Sequence, residues 1–192
     1  MTTTVARPRT LVAGVGNIFL GDDGFGVEAA RALAGRPLPE GVEVADVGIR
    51  GVHLAYRLLD GYDTLVVLDA TARGGEPGTL YVIDAAESGG RPSPDGVPLD
   101  GHRMSPDAVF ALLGTLCAGT GAAPPRRTLV VGCEPATVEE GIGLSPRVAA
   151  AVPEAARLVA ELIGGPAGES ADGPADGPAG DETPLPSLRR AP

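Results

Sequence analysis

The runs Thr-Leu-Val-Val-Leu-Asp at 64–69 and Thr-Leu-Val-Val-Gly at 128–132 are apolar on successive residues, not on alternate ones. A strand of that kind is buried on both faces, as in a parallel sheet held between two helix layers. Three further strand candidates accompany them, at 10–15, 42–47 and 79–83. Stretches with helical apolar spacing fill most of the gaps, at 25–34, 51–60, 105–117 and 145–163. The alternation predicts a three-layer α/β/α sandwich on a mostly parallel five-stranded sheet. Residues 79–83 follow the 64–69 strand across Gly74-Gly-Glu-Pro-Gly78, too little chain for a helical crossover, so this is the one strand predicted to run antiparallel.

A chain of 192 residues with 43% apolar content can bury one sizeable core and leaves little room for a second. From Gly164 the composition turns to Gly, Pro, Ala and Asp, with an imperfect Ala-Asp-Gly-Pro repeat that cannot bury enough apolar surface to offset its ordering entropy. The expected organisation is a flexible 1–9, a folded domain over 10–163 and a disordered tail over 164–192. That tail carries a net charge of −3 out of −10, so the acidity belongs mainly to the folded part. All 15 basic residues are Arg, and no basic patch is available to neutralise phosphates, which argues against nucleic acid or an anionic membrane as a partner. The first nine residues hold no apolar signal core and no apolar stretch approaches a membrane span, so a cytoplasmic location is expected.

Chemistry concentrates after the first strand, in Gly14-Val-Gly-Asn-Ile-Phe-Leu-Gly-Asp-Asp-Gly-Phe-Gly26. Asp22 and Asp23 stand just before a helix, at the carboxyl end of a strand, where open α/β sheets place their ligand sites. Asp22 has the position and residue type of a helix N-cap, a structural role that competes with ligation. Gly14 and Gly16 open a dinucleotide-type G-x-G-x-x-G pattern, but Phe19 occupies the place of its third glycine. Two carboxylates at the turn would also repel a pyrophosphate.

Asp69 ends an apolar strand, where an ionised carboxylate is costly unless it caps or binds something; a turn role is the competing reading. His102 lies in Asp100-Gly-His-Arg-Met-Ser-Pro-Asp, a polar loop leading to a helix with Ser105 as cap and Pro106 in its first position. A lone loop His is often only solvated. Parallel strands, however, would bring Asp23 and Asp69 to one sheet edge, with the helix after His102 returning from that neighbourhood. Two carboxylates and an imidazole can hold a divalent transition metal with positions left open, without selecting one metal. Cys117 and Cys133 are embedded in apolar sequence with no base or C-x-x-C partner, and read as buried, inert thiols.

The glycine-rich Gly14–Gly26 motif, the strand ending at Asp69, His102-Arg-Met-Ser-Pro, Gly132-Cys-Glu-Pro135 and Gly141-Ile-Gly-Leu-Ser145 together resemble the hydrogenase maturation endopeptidases over residues 10 to 163. That resemblance implies an endopeptidase that removes the C-terminal extension of a nickel-iron hydrogenase large-subunit precursor after nickel insertion. It implies that nickel, carried by the substrate, is met by Asp23, Asp69 and His102. Well-known members carry Glu where this chain has Asp23, a ligand one methylene longer. No G-x-S-x-G elbow or H-E-x-x-H helix is present, so the catalytic nucleophile stays unassigned. Two other functions fit the same residues: a module that senses loaded nickel without cutting, and a nucleotide-binding α/β domain built on Gly14 and Gly16.

Overall fold

The computed structural model describes residues 8–85, 106–164 and 188–190. Strand β1 (Thr10–Val15) is followed by a 3₁₀ turn (Gly21–Gly24) that runs straight into helix α1 (Phe25–Ala34). Then come β2 (Val42–Gly48), α2 (Gly51–Leu58), β3 (Thr64–Ala70), β4 (Leu80–Asp84), α3 (Pro106–Thr120), β5 (Arg127–Cys133) and α4 (Pro146–Gly164). The five expected strands and four expected helices are all present. The sheet order is β2-β1-β3-β5-β4, parallel except for β4, which pairs antiparallel with β5. A sixth, three-residue strand, β6 (Leu188–Arg190), adds in parallel to the outer edge of β4. It comes from within the stretch expected to be a disordered tail; residues 165–187 lie outside the described residues.

Burial on both faces explains why the central strands lack alternation. On β1, Val12 faces a core built with α1 and α4, around Phe25, Leu33, Val148 and Val159. Its neighbours Leu11 and Ala13 face the opposite core, built with α2 and α3, around Leu54, Leu58, Val109 and Leu113. The same division splits β3 between Val66 and Leu68 on one side and Leu65 and Val67 on the other. One strand thus serves two cores, which is the three-layer architecture expected from the apolar runs.

Arg9, counted above with the flexible N-terminus, is tied to the fold. Its backbone N–H donates to Asp63, its guanidinium donates to Glu43 and to the Asp60 carbonyl, and it stacks over the Tyr62 ring at 4.4 Å. Arg9, Tyr62 and Arg57 together hold the Glu43 carboxyl down at about 2.

Helix α1 approaches the sheet unusually closely. A Cβ at Gly26 would overlap the backbone carbonyls of Leu68 and Val15, and one at Gly14 would overlap the Gly26 carbonyl and the Ala30 methyl. The close-packing glycine absent at Phe19 is therefore supplied later, by Gly26. We expect Gly26→Ala to cost about 2–3 kcal/mol, because the obstructing atoms are backbone that cannot rotate away. Denaturant unfolding checks this, and a loss below about 0.5 kcal/mol, the scale of a neutral surface change, would contradict it.

Candidate active site

From β1 the chain leaves toward β2 on one side, while from β3 it continues toward β4 and β5 on the other. The crevice between β1 and β3 is thus the point where the winding reverses, and doubly wound sheets hold ligands at the carboxyl ends of strands there. Asp69 is the penultimate residue of β3 and Asp23 lies in the 3₁₀ turn after β1. The structure brings these two together, close enough for the charge of Asp23 to act on Asp69. Burial, first, and the Asp23 charge, second, push the Asp69 carboxyl up to about 7, against a partial offset from the Ala70 amide.

Asp23 is held by the loop it belongs to. Its Oδ2 accepts the Asn17 N–H at 2.6 Å, and the Asn17 side-chain oxygen accepts the Phe19 N–H at 3.0 Å. The turn depends on Gly16, whose φ of +127° few other residues adopt and whose Cβ position is occupied by the Asp23 carbonyl.

Asp22 is not an N-cap. The N-cap of α1 is Gly24, with no side-chain hydrogen bond, and Asp22 turns the opposite way into the protein, where it is fully buried. Its carboxylate accepts the backbone N–H groups of Ser145 at 2.6 Å, Ala136 at 2.8 Å and Thr137 at 3.2 Å, and the Ser145 hydroxyl at 2.9 Å. Burial pushes its pKa up, but these donors outweigh burial and hold it below the ordinary value. With its lone pairs engaged, Asp22 fastens the Asp23 turn to the segment after β5 and is not available as a ligand.

A second buried carboxylate does the same work on the other side. Glu134 follows β5 and accepts the backbone N–H groups of Arg73 and Gly74 at 2.8 and 3.1 Å and the Tyr81 hydroxyl at 2.8 Å. Those amides belong to the loop that leaves Asp69. Here too the donors overcome burial and lower the carboxyl pKa. The segment from Glu134 to Ser145 is therefore bound at one end to the Asp69 loop and at the other to the Asp23 turn. The sequence reading missed both fasteners, although Glu134 offered the signal that singled out Asp69: an acid directly after an apolar strand.

His102 lies outside the described residues, as does Ser105. Among the described residues, no three His, Cys, Asp or Glu side chains gather closely enough to hold a metal. Cys133 is fully buried and its thiol is pushed up to about 12, chiefly by burial, while Cys117 is buried against the α2–α3 core. Both thiols are buried, as expected from their apolar sequence surroundings. Gly14 and Gly16 pack closely against α1 and the Asp23 turn, so their lack of a side chain is already accounted for by packing. No helix among the described residues is long and apolar enough to cross a membrane.

The winding and the paired carboxylates define an α/β protein with an acidic site at its topological switch point. A family model described as hydrogenase maturation protease matches residues 27–93. The chain is 36% identical over 141 residues to the hydrogenase expression/formation protein HupM of Azotobacter chroococcum, covering 71% of this chain and 62% of that one. It is 36% identical over 149 residues to the hydrogenase 2 maturation protease of Escherichia coli, covering 75% of this chain and 84% of that protease. Among solved structures, the hydrogenase maturating endopeptidase HybD from E. coli superposes with a TM-score of 0.61 at 34% identity, over 79% of this chain and 89% of that one. The chain belongs to the hydrogenase maturation protease family, and it is a peptidase.

Proposed function

We propose that the chain removes the C-terminal extension of a nickel-iron hydrogenase large-subunit precursor, and that it reads the nickel already in that substrate through Asp23, Asp69 and His102. The observation that carries this reading is the pairing of Asp23 with Asp69, whose carboxyl is pushed up to about 7 by burial and, second, by the Asp23 charge. Two half-buried carboxylates facing each other are poised for a cation, which would displace the Asp69 proton and relieve their repulsion. His102 would add a nitrogen donor, which suits a borderline metal such as nickel better than an all-oxygen set. The nickel serves as a mark of substrate readiness and docks the extension at the sheet edge. The work is placed in the cytoplasm, with neither nucleic acid nor membrane as partner.

The test is mass analysis of a large-subunit precursor incubated with the full chain. The nickel-loaded precursor is expected to lose its extension and the nickel-free precursor to stay intact. His102→Ala is expected to leave the loaded precursor uncut. Equal cutting with and without nickel would remove the metal from recognition, and an uncut loaded precursor would favour a sensing module that does not cleave.

A further inference from the structure

Five large apolar side chains are exposed among the described residues, and four of them, Phe19, Ile49, Val138 and Ile142, lie on loops at the carboxyl edge of the sheet, around Asp23 and Asp69. Phe19 is 62% and Ile142 85% exposed. These two stand on a rigid platform. The Gly141 N–H donates to the Phe19 carbonyl, the Gly21 N–H donates to the Gly141 carbonyl and the Asp22 N–H donates to the Thr137 carbonyl, while the Asp22 side chain pins the same two loops from below. Ile142 itself lines a cleft of about 520 Å³, together with Ile18, Leu144 and Val152 and the charged Glu28 and Arg31. Apolar side chains held out on a hydrogen-bonded frame, next to an unfilled apolar cleft, are the features of a recognition surface and not of random exposure.

Charge selects the occupant. Glu139 and Glu140 are exposed between Val138 and Ile142, and neither forms an ion pair with a described residue. A second copy of this chain, at net charge −10, would oppose glutamates with further acid. The strand that carries the chain's own Arg189 and Arg190, β6, pairs with β4 at the outer edge of the sheet, two strands beyond β5. We propose that the Phe19–Ile142 platform docks the hydrogenase large-subunit precursor itself, through an apolar segment of the precursor flanked by a basic residue. This rests on the function proposed above. It adds that the platform, continuous with the Asp23 turn, supplies substrate affinity while the carboxylates supply metal recognition.

The experiment compares the full chain with Phe19→Ser/Ile142→Ser in steady-state cleavage of the nickel-loaded precursor, alongside direct binding of that precursor. Because both side chains are exposed, the melting temperature should not move. KM and the dissociation constant are each expected to rise by roughly ten- to a hundredfold, with kcat within about twofold of wild type. Glu139→Arg/Glu140→Arg should also weaken binding, and the wild-type affinity should fall as salt is raised. An unchanged KM in the apolar variant, or a fall in kcat alone, would overturn the docking role while leaving the proposed function standing. A concentration-dependent dimer of the wild type abolished by the variant would assign the surface to self-association instead. If wild type neither binds nor cuts the loaded precursor, the function fails, and the docking role with it.

Discussion

Asp69→Asn is expected to abolish processing of the nickel-loaded precursor while raising the melting temperature of the free protein at pH 8. The sign follows from the direction of the shift. The Asp69 carboxyl titrates near 7 in the fold, against 3.8 for the unperturbed group. The folded state therefore keeps a proton that the unfolded chain gives up, and stability is lost as pH rises from about 4 through 7. At pH 8 the ionised carboxylate carries a cost of roughly 2–4 kcal/mol, taken from the shift and reduced for partial exposure. Asn has the same shape and no charge, and its amide can donate toward Asp23. In a chain of this size, that relief corresponds to a rise of about 5–10 °C. At pH 5 the folded carboxyl is protonated and only the unfolded chain has lost its proton, so the difference should shrink to about a third of its pH 8 value. Calorimetry at the two pH values reads the effect. Equal melting temperatures at pH 8 would show that Asp69 is not strained, and intact processing would remove it from the metal site. A residue whose removal stabilises the fold and ends the function is held there for function.

The secondary structure was legible because the chain uses the two periods without ambiguity. Continuous Val and Leu marked β3 and β5 as strands buried on both faces, and the short Gly-Pro connection before Leu80 dictated the antiparallel β4. Asp69 was legible as well, since an acid ending an apolar strand needs a reason. Asp22 was misread as a cap because its partners, Ala136, Thr137 and Ser145, lie 114 to 123 residues away in the chain. Local pattern carries no trace of such a contact. The 3₁₀ turn at Gly21–Gly24 shares the difficulty: it is set by the tertiary anchor on Asp22 and by the bonds from Gly21 to Gly141 and from Asp22 to Thr137, not by its own composition. The missing third glycine was sought at fixed motif spacing and stands instead at Gly26, where the added turn delays the helix.

Asp22→Ala and Asp23→Ala, one residue apart, are expected to have opposite phenotypes. Removing the Asp22 carboxylate leaves the amides of Ala136, Thr137 and Ser145 and the Ser145 hydroxyl without their acceptor in a site that is fully buried. Unsatisfied buried donors cost about 1–3 kcal/mol each when water cannot reach them, and part of that is recovered as the loop relaxes. A net loss of about 3–5 kcal/mol is expected, the scale at which a domain of ordinary stability is close to unfolding. Asp22→Asn should recover little, because its NH₂ group would meet N–H donors where an acceptor is required. Asp23 is only partly buried and, among the described residues, accepts a single hydrogen bond, from Asn17. Its loss also relieves the repulsion on Asp69, so Asp23→Ala should fold within about 1 kcal/mol of wild type and fail only in processing. Urea unfolding of both variants, with cleavage of the loaded precursor measured on each folded fraction, separates the two roles. A stable Asp22→Ala protein would mean that the segment from Glu134 to Ser145 holds its place without the clamp. A destabilised Asp23→Ala protein would mean that Asp23 supports the fold and not the metal.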